Sequence, residues 1–202
     1  MITYRPLNIE DKEQLLEVFE LNPVVYTKHT DTAFKNTFSK VLEEELANPL
    51  CFFPGIFVDN KLYSVVYFKE VVDAPAWILA HLMLRPSDFT TFIQPEYIDA
   101  AIKLDESITN EMIVKRGLNR MYFVFPYDKI STLRSIGSID RLYRYIQKVR
   151  QYESFFLKIN LYTDCIIKAN TMPRYTYQQK IIGGRTWPFD LAIRIGMVKS
   201  EV

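Results

Sequence analysis

The sequence predicts a mixed α/β fold, a central sheet with helices on both faces. Three observations predict it. Two adjacent apolar runs, residues 62–72 and Trp77 to Leu84, have the β-branched and aromatic content of strands. A stripe of Ile98, Ala101, Leu104, Ile108 and Met112 recurs at helical spacing and stops at Gly117. The whole chain runs in the order β-α-α-β-β-β-α-β-α-β-β, which a sheet covered by helices satisfies.

Taken in order, residues 2–7 alternate weakly and form a short first strand. Asn8 is a good N-cap, and Glu10-Asp11 set negative charge at the positive end of the next helix. Leu15, Leu16 and Phe19 supply that helix's buried stripe, and Asn22-Pro23 stops it. After a loop over 23–30, Thr30 or Asp31 caps a second helix. Phe34, Phe38, Val41, Leu42 and Leu46 share its inner face, and Asn48-Pro49 ends it. Residues 51–58 form a strand broken near Pro54-Gly55, and Asp59-Asn60-Lys61 is a hairpin turn. Asp73-Ala74-Pro75-Ala76 turns the chain between the two apolar runs. Trp77 to Leu84 is interrupted only by His81 and reads as a strand buried on both faces, ended by Arg85-Pro86.

Residues 86–97 are an irregular connection to the helix over 98–117. A strand over 121–125 follows, with Pro126 at its end. A loop with Gly137 leads to Ser138, which caps a helix over 138–153 with Ile139, Leu142, Ile146 and Val149 inward. Strands over 164–168, 176–182 and 191–198 complete the chain, with Gly183-Gly184 as a turn.

The 202 residues suit one domain, 1–202, with an ample core. A net charge of +1 argues against a dedicated nucleic-acid or membrane-surface protein. Two cysteines (Cys51, Cys165) and two histidines (His29, His81) have neither disulfide-framework nor zinc-finger spacing, so no metal is expected. The first residues carry no signal-peptide apolar region, and a cytoplasmic location is expected. The helix over 138–153 mixes Arg141, Arg144, Lys148 and Arg150 with Tyr143, Tyr145 and Tyr152. That pattern can bind nucleic acid, but balanced overall charge favours a solvated face.

Ile2-Thr3-Tyr4-Arg5-Pro6-Leu7 followed by Asn8-Ile9-Glu10-Asp11, the paired helices, the three strands over 56–84 and the helix ending at Gly117 resemble the GNAT superfamily of N-acetyltransferases. The resemblance spans essentially the whole chain. It implies a single GNAT-like domain with a mixed, mostly antiparallel sheet. It further implies acetyl-CoA bound in a splay between two parallel strands, here Trp77–Leu84 and 121–125, with Leu82, Met83, Leu84 and Arg85 as its contacts. The acceptor is then a small-molecule or peptide amine, attacking directly. Glu70 or His81 is the base candidate, since both lie in the central strand pair. Tyr127, Tyr143 or Tyr145 is the candidate acid. Each has a plainer use: His81 as a core histidine, Glu70 on a solvated strand face, the tyrosines in packing.

The sequence departs from the family at the pyrophosphate loop, where glycines usually let backbone N–H groups converge on phosphate. Residues 85–98 contain no glycine, and Pro86 and Pro95 each lack a donor. That departure motivates an alternative, a catalytically inactive domain of the same fold that binds a protein partner or a second copy of itself as a homodimer.

Overall fold

The computed structural model describes residues 1–20, 32–70, 77–84, 89–118, 120–126, 129–182, 186–187 and 190–198. The expected features at Asn22-Pro23, Thr30, Asp31, 73–76, Arg85-Pro86 and Gly183-Gly184 lie outside these residues. The chain divides into two compact units. The first comprises Met1–Phe68 and Leu82–Ser107, the second Lys69–His81 and Ile108–Val202.

In the first unit, β1 (Ile2–Pro6) pairs antiparallel with β3 (Pro54–Val58), which pairs antiparallel with β4 (Lys61–Glu70). The β3–β4 turn places Asp59 and Asn60 at φ 49° and 63°, the left-handed pair that a tight hairpin requires. A short β2 (Cys51–Phe52) pairs with β4. The strand break therefore falls at Phe53 rather than at Pro54-Gly55. The buried Phe53 instead gives its carbonyl to the Leu7 N–H (2.8 Å). Gly55 lies inside β3 because an added Cβ would stand 2.5 Å from Leu7 Cδ1 and 3.0 Å from Leu62 Cδ1.

Asn8 caps a short 3-10 turn (Ile9–Asp11) in a full capping box with Asp11, and α1 (Lys12–Glu20) continues it. Leu15 and Val18 are its fully buried residues among those described. Helix α2 (Thr32–Leu46) buries Leu42. β5 (Trp77–Leu84) has its expected bounds. The connection expected to be irregular instead contains a one-turn helix, α3 (Phe89–Phe92), and α4 (Pro95–Thr109) begins earlier than residue 98. Proline suits that first helical position because the N–H it lacks has no partner there. All five stripe residues, Ile98, Ala101, Leu104, Ile108 and Met112, are buried.

In the second unit, α4 loosens into a π-helical stretch, Asn110–Lys115, closed at Gly117 (φ 63°). Leu118 N–H reaches back to the Met112 carbonyl (2.9 Å) and Gly117 N–H to Ile113 (3.0 Å), a glycine C-cap widened by the π turn. β6 (Arg120–Pro126) pairs antiparallel with β8 (Leu191–Val198), and β8 pairs antiparallel with β7 (Ile159–Ile167).

Four expectations need correction here. Helix α5 spans Lys129–Arg150, so Gly137 and Ser138 lie within it rather than before it. Its inner face includes Tyr143 and Ile146, while Val149, in the last turn, is 45% exposed. Residues 176–182 form a helix, α7 (Thr176–Ile182), not a strand; α6 (Phe155–Lys158) is the single turn before β7. Tyr177 and Ile181, about one helical turn apart, both reach the cluster of Tyr122, Ile167, Leu191 and Ile193. β7 also starts earlier than residue 164, and its ladder shifts register between Thr163 and Cys165.

Candidate functional site

The ladder between β5 and β6 is parallel and consists of three pairs, Trp77↔Met121, Ile78↔Tyr122 and Leu79↔Phe123. β6 stays paired to β8 through Val124↔Ile193, Phe125↔Ala192 and Pro126↔Leu191. β5 meanwhile runs on to Leu84. Past Leu79, then, β5 has left the β6 ladder while β6 remains held on its other side. The β5–β6 ladder thus ends at Leu79↔Phe123, and a chain bearing its own amides can pair with a strand edge beyond the end of a ladder.

His81 lies on β5 two residues past the last ladder pair, and Leu82, Met83 and Leu84 continue the strand. Arg85 and Tyr127 lie outside the described residues. Tyr143 is 4% exposed and packs its ring 5.2 Å from Phe156. Tyr145, two residues on, is half-buried.

Glu70, at the end of β4, is half-buried, and its Oε2 accepts a hydrogen bond from Arg116 Nη1. Arg116 also donates to Glu111 Oε1 from Nη2 (3.0 Å) and Nε (3.2 Å). Lys115 Nζ donates to Glu111 Oε2 (2.9 Å). Two carboxylates and two cations thus alternate across the end of the π-helical stretch. Burial pushes the Glu111 carboxyl up, but the hydrogen bonds from Lys115 and Arg116 outweigh it and hold it below its ordinary value. The sequence did not single out Glu111, Lys115 or Arg116. The Glu111/Lys115 spacing of four is a visible signal, whereas the Arg116–Glu70 pair joins residues 46 apart in sequence.

The start of α4 offers a poor phosphate cradle. Pro95 has no N–H to give, and the exposed Glu96 in the first turn repels an anion. Phe92 is buried against Tyr63 (6.1 Å) and Tyr97 (5.2 Å). Tyr97 in turn shares a hydrogen bond with Ser64 (3.1 Å). The start of α4 therefore does not reproduce the glycine-rich pyrophosphate seat that the sequence resemblance implies.

The register also places the connection between β7 and β8. Pro126 is opposite Leu191, and Leu191 is opposite Ile167. Residues 168–190 therefore leave and rejoin the sheet at the end where β6 finishes, the end at which β5 has left it. Among the described residues, no group of His, Cys, Asp and Glu could hold a metal ion, and no helix is long and apolar enough to cross a membrane.

No protein-family model matches the sequence, and no curated protein matches it. Solved structures do match. An aminoglycoside 6′-acetyltransferase type Ii superposes with a TM-score of 0.55 at 12% identity, over 98% of this chain and 99% of that one. A protein described as a GNAT-family acetyltransferase from Desulfovibrio desulfuricans gives 0.54 at 9% identity, over 98% and 100%. The ribosomal-protein-S18-alanine N-acetyltransferase of Escherichia coli gives 0.52 at 15% identity, over 99% and 96%. The chain has a divergent GNAT fold.

Proposed function

We propose that this GNAT-fold chain acts as one domain over residues 1–202 and transfers an acetyl group from acetyl-CoA to a small-molecule or peptide amine by direct attack. The observation that carries the reading is the parting of β5 from β6 after Leu79↔Phe123. The β5 backbone over Leu82, Met83 and Leu84 holds the donor's amide-bearing arm, and Arg85 its phosphates. When bound, the donor supplies a thioester carbon activated toward nitrogen.

The amine nitrogen bonds to that carbon and the carbon–sulfur bond breaks. His81, on the strand that has left the ladder, takes the proton from nitrogen; Tyr127 or Tyr143 gives one to the leaving sulfur. Glu70 is the alternative base, and Arg116 must first release its carboxylate.

Titrating acetyl-CoA into the pure protein by calorimetry tests the reading. Saturable heat at micromolar ligand is expected, and no heat at high micromolar ligand would overturn it. The occupied Glu70 and the glycine-free start of α4 favour a second reading, a non-catalytic domain that binds a protein partner or a second copy. Acetyl-CoA binding without release of free thiol across a panel of amines would decide for that second reading.

A further inference from the structure

The connection over residues 168–190 is longer than a hairpin needs, and its described residues brace one another. Asn170 N–H donates to the Trp187 carbonyl (2.7 Å), and Asp190 accepts from Ala169 N–H (2.8 Å) and Lys168 Nζ (2.9 Å). Gln179 Nε2 donates to the Pro173 carbonyl (3.0 Å). The buried Gln178 donates through Nε2 to the Tyr177 hydroxyl (3.2 Å) and meets Cys165 Sγ (3.2 Å).

Three tyrosine rings form a line here, and the Gln178 side chain bonds the hydroxyl of the middle one, Tyr177. Tyr122 of β6, in the ladder pair just before the last, is 8% exposed and lies 6.5 Å from Tyr177. Tyr177 lies 6.0 Å from Tyr175, the two rings stacked at 20°. Tyr175 is 61% exposed, and Met172 beside this segment is 53% exposed. The line runs from the strand that β5 leaves out to the surface. It ends in an aromatic face ordered in advance, so a ligand stacking there loses little to ordering it.

Charge decides what that face takes. An isolated tyrosine ring attracts cations. The described part of this connection, however, carries Lys168, Arg174 and Lys180 against the single carboxylate of Asp190, which Lys168 already neutralises. Arg174 is exposed and adjoins Tyr175. An exposed guanidinium on the residue next to an exposed ring suits a flat group carrying a carboxylate or phosphate.

We propose that Tyr175 and Arg174 bind a planar, anionic group, and that this group is the end of the acceptor remote from its reacting amine. The second half of the statement rests on the transfer reading above. Substrate selection then falls to the β7–β8 connection: acceptors with an aromatic anionic tail are preferred over plain alkylamines.

The test titrates three isosteric probes, 2-naphthoate, 2-naphthalenemethanol and 2-naphthylmethylammonium, into the full chain while backbone amide shifts are followed by NMR. Naphthoate is expected to shift amides over residues 172–180 and to bind most tightly of the three. Tyr175→Ala should weaken it by about tenfold, the usual size of one lost aromatic stacking partner. Arg174→Gln should bring naphthoate down to the neutral probe while leaving the neutral probe unchanged. Absent shifts in that segment, or equal or tighter binding of the cation, would overturn the proposal. No thioester is present in this titration, so its failure is distinct from failure of the acetyl-CoA calorimetry.

Discussion

Gly117 and Arg5 show how single residues set the frame. Gly117 sits at φ 63° with open space around the position of a Cβ, so its requirement is conformational and not steric. Gly117→Ala should therefore cost about 1 kcal/mol in denaturant unfolding, the strain of a side chain in left-handed backbone. An unchanged midpoint would show that the π turn relaxes instead. Arg5 makes two 2.6 Å bonds to the buried Asp11 and lies 3.9 Å over the Phe57 ring. Burial raises the Asp11 carboxyl, yet the bonds from Arg5 and from the Asn8 backbone outweigh it and hold it below its ordinary value of 3.8. A carboxyl depressed on folding stabilises the protein above that ordinary value, and the contribution disappears as pH falls through the folded value. Arg5→Met should thus destabilise by about 2 kcal/mol at neutral pH, because it strands a buried carboxylate. The gap to the unaltered protein should narrow at a pH well below that ordinary value. Urea unfolding at both pH values checks this, and a gap of constant size would contradict it.

Elements were legible where one physical signal acted alone. The stripe of α4 was read correctly because five apolar residues at helical spacing leave no other buried face, and all five are buried. Ile108→Ala should cost about 3 kcal/mol by leaving a cavity in a fully buried site. A loss under about 1 kcal/mol in thermal unfolding would show that α4 tolerates a gap there. Trp77–Leu84 and Leu191–Val198 kept their bounds because turn residues or polar residues flank each continuous apolar run. Misreadings occurred where two periods fit equally well. In 176–182, Tyr177, Gln179 and Ile181 alternate as a strand would, while Tyr177 and Ile181 are also four apart; seven residues cannot separate the two. Gly137 looked like a loop residue because glycine weakens a helix by about 1 kcal/mol, an amount that 22 residues of α5 absorb.

At the scale of the whole molecule, the site is written in pairings that no local pattern records. The Arg116–Glu70 bond and the end of the β5–β6 ladder both join segments more than forty residues apart, so residue spacing could name Glu70 and His81 but not what each would meet. The division into two units cuts β4 after Phe68, β5 after His81 and α4 after Ser107, the three elements that both units share. Since identities of 9–15% with the matched structures carry the fold and little else, the account turns on whether the β5 edge beyond Leu79 receives the donor. Amide hydrogen exchange, with and without acetyl-CoA, measures this directly. Slower exchange over residues 80–84 is expected when acetyl-CoA is present, as the donor's arm takes up N–H groups there. Unchanged exchange across β5 at saturating acetyl-CoA would contradict it.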